Sequence, residues 1–117
     1  MKNQKITSKE LRVDNLILHL GRIHKTNSGD IALLEGKGFE EDYKPIPLNQ
    51  EWLLKFGFEY VNPFGYRIKR GCFVKDDLET NGYYFRWNGQ TLSLIYYVHQ
   101  LQNLHYCLCG EELELTL

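Results

Sequence analysis

The stretch GYYFRWNGQTLSLIYY, residues 82–97, constrains the fold more than any other part of the chain. Asn88-Gly89 lies between two runs rich in aromatic and aliphatic residues, and both central positions of a tight hairpin turn need positive φ, which Asn and Gly supply. A two-residue turn also sets the register. Trp87 faces Gln90, Arg86 faces Thr91, Phe85 faces Leu92, Tyr84 faces Ser93 and Tyr83 faces Leu94. One face then carries Tyr83, Phe85, Trp87, Leu92 and Leu94, and the other Tyr84, Arg86, Thr91 and Ser93. A slip of one residue would mix the two sets. The chain is therefore expected to build an antiparallel sheet with one face in a core.

The segments around this hairpin extend the same pattern. YRIKRGCFV, residues 66–74, places Tyr66 and Ile68 on one face and Arg67 and Lys69 on the other, with a bend or bulge expected at Gly71. Near the start, Ser8 can cap a single turn over KELR. LILHL then alternates, with Leu16, Leu18 and Leu20 on one face and Ile17 and His19 on the other. Gly21-Arg22 turns the chain into RIHKT, Ser28-Gly29-Asp30 turns it again, and IALLE reads as a third strand.

Two helices are written between and after the strands. In YKPIPLNQEWLLKFGFE, residues 43–59, Pro45 and Pro47 favour an extended approach. Asn49 is a good N-cap, and Leu48 and Leu53 are spaced for a hydrophobic staple. Gly57 can take the left-handed position that folds Phe58 back on Leu53. Seven residues are too few for a helix on its own, so Trp52, Leu53 and Phe56 are expected to dock on the sheet. The second helix is YVHQLQNLHYCLCGEEL, stopped by Gly110, with LELTL after it as a last strand. The expected fold is α+β and mostly antiparallel β. It is a single domain over residues 1–117, a small SH3-like barrel or meander with a β-hairpin extension and two short helices.

Several function classes fit poorly. Net charge is −1, so nothing steers the whole molecule to nucleic acid or anionic lipid. Residues 87–110 contain no Asp, Glu, Lys or Arg, yet amides and a hairpin turn interrupt them, so no membrane span is expected. The polar start MKNQKITSKELR has no signal-peptide pattern, and three cysteines form no framework, which points to the cytoplasm. Cys107 and Cys109 stand about 200° apart on a helix and cannot chelate one ion. Cys109 at a helix C-terminus is a poor place for a thiolate. Phosphate-loop, dinucleotide, serine-hydrolase and zincin motifs are missing. No enzyme, metal or cofactor is expected.

Two sets of residues remain as candidates for binding. His99, Gln102, Asn103 and Tyr106 lie at i, i+3, i+4 and i+7, opposite the apolar face of Val98, Leu101, Leu104 and Leu108. A helix face that is polar yet uncharged suits a satisfied internal network, a subunit interface or a site for a small polar ligand. Arg67, Lys69, Arg70 and Lys75 form a basic stretch near Tyr66 and Phe73, with Tyr84 and Arg86 expected on the next strand; of these, Arg67, Lys69, Tyr84 and Arg86 are the second set, able to hold phosphate and stack a base.

The segments ELRVDNLI, YKPIPLNQEWLLKFGFE and YVHQLQNLHYCLCGEEL resemble parts of small uncharacterised proteins encoded by phages and prophages of Bacteroidota. Those proteins often have Gly where this chain has Asp14, and a less Cys-rich segment than CLCG. The resemblance implies no catalytic residues. It implies a non-catalytic binding protein of the host-cell cytoplasm, in the manner of sponges that sequester nucleotide-type immune signals. Arg67, Lys69, Tyr84 and Arg86 would contact phosphate or base, and His99, Gln102, Asn103 and Tyr106 polar edges. A homo-oligomer is expected. The alternative is a protein–protein adaptor or inhibitor of a host protein. Single-stranded nucleic acid stands third, because so few cations make a thin electrostatic footprint.

Overall fold

A computed structural model describes residues 8–35, 42–62, 65–69, 72–77 and 79–115. After a single 3₁₀ turn, Ser8–Glu10, strands β1 (Leu16–His19) and β2 (Arg22–Lys25) form a hairpin. Helix α1 (Ser28–Glu35) comes next, and the short β3 (Tyr43–Lys44) returns to pair with β1. Helix α2 spans Gln50–Lys55. Strands β4 (Glu59–Val61), β5 (Gly65–Lys69), β6 (Cys72–Asp77), β7 (Gly82–Trp87) and β8 (Gln90–Ile95) then run as an antiparallel meander, and helix α3 (Val98–Cys109) ends the regular structure. The fold is α+β and mostly antiparallel. Its two open sheets have the orders β2-β1-β3 and β4-β5-β6-β7-β8. They do not close into the SH3-like barrel that the opening hairpin suggests.

Most turn and cap expectations hold for local reasons. Asn88 and Gly89 both take positive φ, 51° and 83°, as the tight hairpin turn requires. Asn49 caps α2 by accepting from the Trp52 amide at 3.0 Å. At the other end Gly57 has φ 92°, the Phe58 amide reaches the Leu53 carbonyl, and the Gly57 amide reaches that of Leu54. This is the Schellman pattern. Gly110 stops α3 in the left-handed region, as expected.

Four expectations need correction. IALLE is helical, and Ser28-Gly29-Asp30, expected as a turn, is the first turn of that helix: Asn27 accepts from the Asp30 amide while the Asp30 carboxylate accepts from the Asn27 amide, both at 2.9 Å, a reciprocal cap that starts α1. The chain thus has three α-helices among the described residues rather than two. Leu20 leaves the Leu face of β1, because the turn falls at Leu20-Gly21 rather than Gly21-Arg22, with Leu20 exposed at φ 53°. Residues 112–115 form no strand, although Leu113 packs in the core; Thr116 and Leu117 lie outside the described residues. Finally, the Trp87–Gln90 and Arg86–Thr91 pairs stand, but a bulge at Leu92 then pairs Phe85 with Ser93 and Tyr84 with Leu94. The bulge exchanges the faces of the rest of β8. Ile95 enters the core, and Leu92 turns out to 46% exposure.

Two apolar clusters meet at β1. Leu16 belongs to the main core with Leu53, Phe56, Val74, Phe85 and Leu101, whereas Ile17 packs with Leu11, Leu34 and Tyr43. α2 docks its Trp52, Leu53 and Phe56 there, as expected. The segment around the prolines ties the chain's halves together, since Leu48 donates to Tyr96 and Val98 to Ile46, both at 2.8 Å.

Candidate functional site

Alternation in the meander places its polar–aromatic residues opposite the core. Val74 and Phe85 are fully buried partners on the inner face. The residues on either side of each along its strand, Phe73 and Lys75 in β6 and Tyr84 and Arg86 in β7, point the other way. In register, Arg67 lies across from Phe73, and Phe73 across from Arg86, one row over three strands. Lys75 lies across from Tyr84 in the next row. The structure therefore brings Arg67, Phe73, Lys75, Tyr84 and Arg86 of the expected basic–aromatic set onto one sheet face; Arg70 lies outside the described residues. Lys69 is in β5, but its side chain lies outside the described residues. Tyr66, near this stretch in sequence, belongs to the buried side.

Local charges temper this face. Arg67 Nη2 lies 3.8 Å from Glu59 Oε1, an exposed pair worth little in water. Tyr84 is exposed, and the neighbouring Asp77 carboxylate, with a smaller push from desolvation, raises its phenol above the ordinary value. Arg86 is half-buried. Its Nη2 donates to the Gly89 carbonyl at 3.0 Å, while its Nε is buried with no hydrogen-bond partner among the described residues. An unsatisfied cationic donor is an uncommon and destabilising feature.

The helix stripe is placed elsewhere. It faces residues 10–16, whose backbone and side chains it binds. Gln102 is buried, and its Oε1 accepts from the Leu16 amide at 2.8 Å while its Nε2 donates to the Asp14 carbonyl at 3.4 Å. Asn103 Oδ1 accepts from Arg12 Nε at 3.0 Å and from Asn15 Nδ2 at 2.8 Å, and its Nδ2 donates to the Glu10 carbonyl at 3.0 Å. Arg12 also grips Glu112 with both terminal nitrogens and lies 4.2 Å over the Tyr106 ring. The Glu112 partnership holds the Arg12 guanidinium above its ordinary pKa. His99 is fully buried, with Nε2 2.8 Å from Glu10 Oε1 and Nδ1 without a partner among the described residues. Burial lowers its pKa, against the pull of Glu10.

Of the three readings for the stripe, an internal polar network accounts for Gln102 and Asn103. Tyr106 remains exposed outside the core. Arg12 and Asn15, the partners that complete the network, carry no signal in the sequence. They lie about ninety residues away, and no local pattern joins them. A second network surrounds α1. Asp30 accepts from Tyr43 Oη at 2.9 Å and lies 2.7 Å from His24 Nε2. Burial opposes ionisation of Asp30, but its amide, imidazole and phenol partners together hold it below the ordinary carboxyl value. Burial and then Asp30 push the Tyr43 phenol up to about 12.

Among the described residues, no group of three or more His, Cys, Asp or Glu side chains is placed to hold a metal ion, and no helix is long and apolar enough to cross a membrane. Cys72 is buried, Cys107 exposed and Cys109 intermediate. The chain matches no protein-family model, no curated protein and no solved structure.

Proposed function

We propose that this chain is a non-catalytic binding protein of phage or prophage origin, and that the outer face of the meander takes a small nucleotide-type anion. In a host cell it would sequester such a molecule when it serves as an immune signal. One observation carries the reading: Arg67, Phe73 and Arg86 share a cross-strand row beside Lys75 and Tyr84. The two guanidinium groups would hold a phosphate, and the exposed Tyr84 ring would stack a base. The bonds that Gln102 and Asn103 already make to residues 10–16 support assigning recognition to the sheet rather than to the helix stripe.

Thermal melting with a panel of linear and cyclic nucleotides tests the proposal. A ligand should raise the melting temperature of the wild-type chain and be recovered unchanged after denaturation. Arg86→Ala should weaken binding about tenfold or more, as loss of a charge-assisted hydrogen bond implies. Arg67→Ala should weaken it less, because that residue is already near Glu59. No shift across the panel removes the nucleotide reading. Binding to single-stranded oligonucleotides that collapses with added salt would redirect it to nucleic acid.

A further inference from the structure

The free edge of β8 has properties that the ligand reading does not use. β8 ends the five-stranded sheet, so its outer backbone groups meet no further strand among the described residues. Edge strands are ordinarily guarded by charge, by proline or by brevity. Gln90–Ile95 has six residues, no charge and no proline. The bulge, which often blunts an edge, here pushes out a leucine: Leu92 is 46% exposed in the middle of the strand. Beside Ser93, Leu94 and Ile95 the edge opens on a cleft of about 340 Å³, which Asn103 and Leu104 of α3 line together with Lys9 and Glu10.

We propose that β8 is a dimerisation edge. Two copies pair their β8 strands antiparallel about a two-fold axis near Leu92, which joins their meanders into one sheet. Charge identifies the occupant as a second copy. Two-fold pairing sets a strand against itself, so a charged edge repels its own copy. The edge strand β2 carries Arg22 and Lys25, and the opposite edge of the meander, β4, has three residues with Glu59 among them. From Trp87 to Gly110 the chain has no Asp, Glu, Lys or Arg, so β8 approaches its copy without repulsion. The cleft's two charges, Lys9 and Glu10, are of opposite sign and would meet only the partner's Gln90 and the partner's Thr91, both uncharged. Pairing about Leu92 covers each exposed leucine with the other. It also carries the partner's Thr91 and the partner's Gln90 alongside Ser93 and Leu94, into the cleft. Residues opposite each other in a ladder share a face. The outer faces of both copies therefore lie on the same side of the joined sheet, with their β7 strands three strand spacings, about 14 Å, apart.

Sedimentation of the full chain across a concentration series up to about 100 μM reads the outcome independently of any nucleotide. The wild-type chain should reach twice the single-chain mass. Leu92→Lys places two ammonium groups at the axis and should return the mass to one chain, with its far-UV spectrum unchanged because Leu92 is already exposed. Tyr60→Lys, on the opposite edge, should remain dimeric. A wild-type chain that stays at single mass overturns the proposal, and so does a dimer that Leu92→Lys leaves intact. Leu92→Cys in a Cys107→Ser, Cys109→Ser background reads the same contact if the lysine variant does not fold. A symmetric disulfide should form under mild oxidation, and its absence counts against the axis.

Discussion

Gln102 shows what a single buried amide does in this protein. It satisfies the Leu16 amide at the start of β1, where the strand enters the core. Gln102→Leu keeps the volume but leaves that donor bare, and should destabilise the chain by about 2 kcal/mol in urea unfolding. Leu20 makes the opposite case. It is exposed at φ 53° in a turn that favours Asn, so Leu20→Asn should stabilise by about 1 kcal/mol, read as a melting temperature higher by several degrees. Tyr43 sets an alkaline limit. Its folded pKa is about 12 against 10.0 ordinarily, so the unfolded chain loses the phenolic proton first. Stability should therefore fall as pH rises from about 10 towards 12, and Tyr43→Phe should flatten that limb of the curve. The roles of Asn49, Gly57, Asn88 and Gly110 are legible in the sequence because each acts on backbone within a few residues of itself. Those of Asn15 and Arg12 are not, since their partners lie across the fold.

At the scale of elements, a cap decides what periodicity leaves open. IALLE is short and apolar, and such a run fits either a strand or a buried helix. The Asn27–Asp30 reciprocal cap favours the helix, and the spacing N-x-x-D is itself visible in the sequence. Asn27→Ala should loosen α1 and lower stability by about 1 kcal/mol, measured by urea unfolding. The β7–β8 hairpin shows the reverse. Its turn is readable, but its bulge is not, because Leu92 and Leu94 suit an inner face as well as Ile95 does. What distinguishes them is packing: Ile95 shares a core with Val98 and Leu101 of α3, which begins three residues later. The fold adopts the register that serves the helix as well as the hairpin.

Across the whole molecule, the polar stripe of α3 holds the first described residues against the last helix. Glu10, Arg12, Asp14 and Asn15 all bond to α3 or to Glu112 just beyond it. This brace has an acid limit. His99 sits below its ordinary 6.5 because burial disfavours the imidazolium more than Glu10 favours it. As pH falls, the unfolded chain takes up that proton first, so stability present above about 6.5 is lost as pH drops towards the folded value. Melting temperature should decline from about pH 7 to pH 5, and His99→Gln should reduce the slope over that interval. A slope unchanged by the substitution would assign acid sensitivity to other groups.

The Asn88-Gly89 turn, the α2 caps, the end of α3 and the mostly antiparallel class are legible in the chain's local patterns, because each depends on backbone preferences within one short segment. Sequence by itself also marked the uncharged stripe as unusual. Only the tertiary structure decided that residues 10–16 cover that stripe, that two open sheets form, and that Arg67, Phe73 and Arg86 stand in one row. Those outcomes depend on contacts between segments far apart in the chain. Their energies come from burial and register across the assembled sheets, which no local pattern encodes.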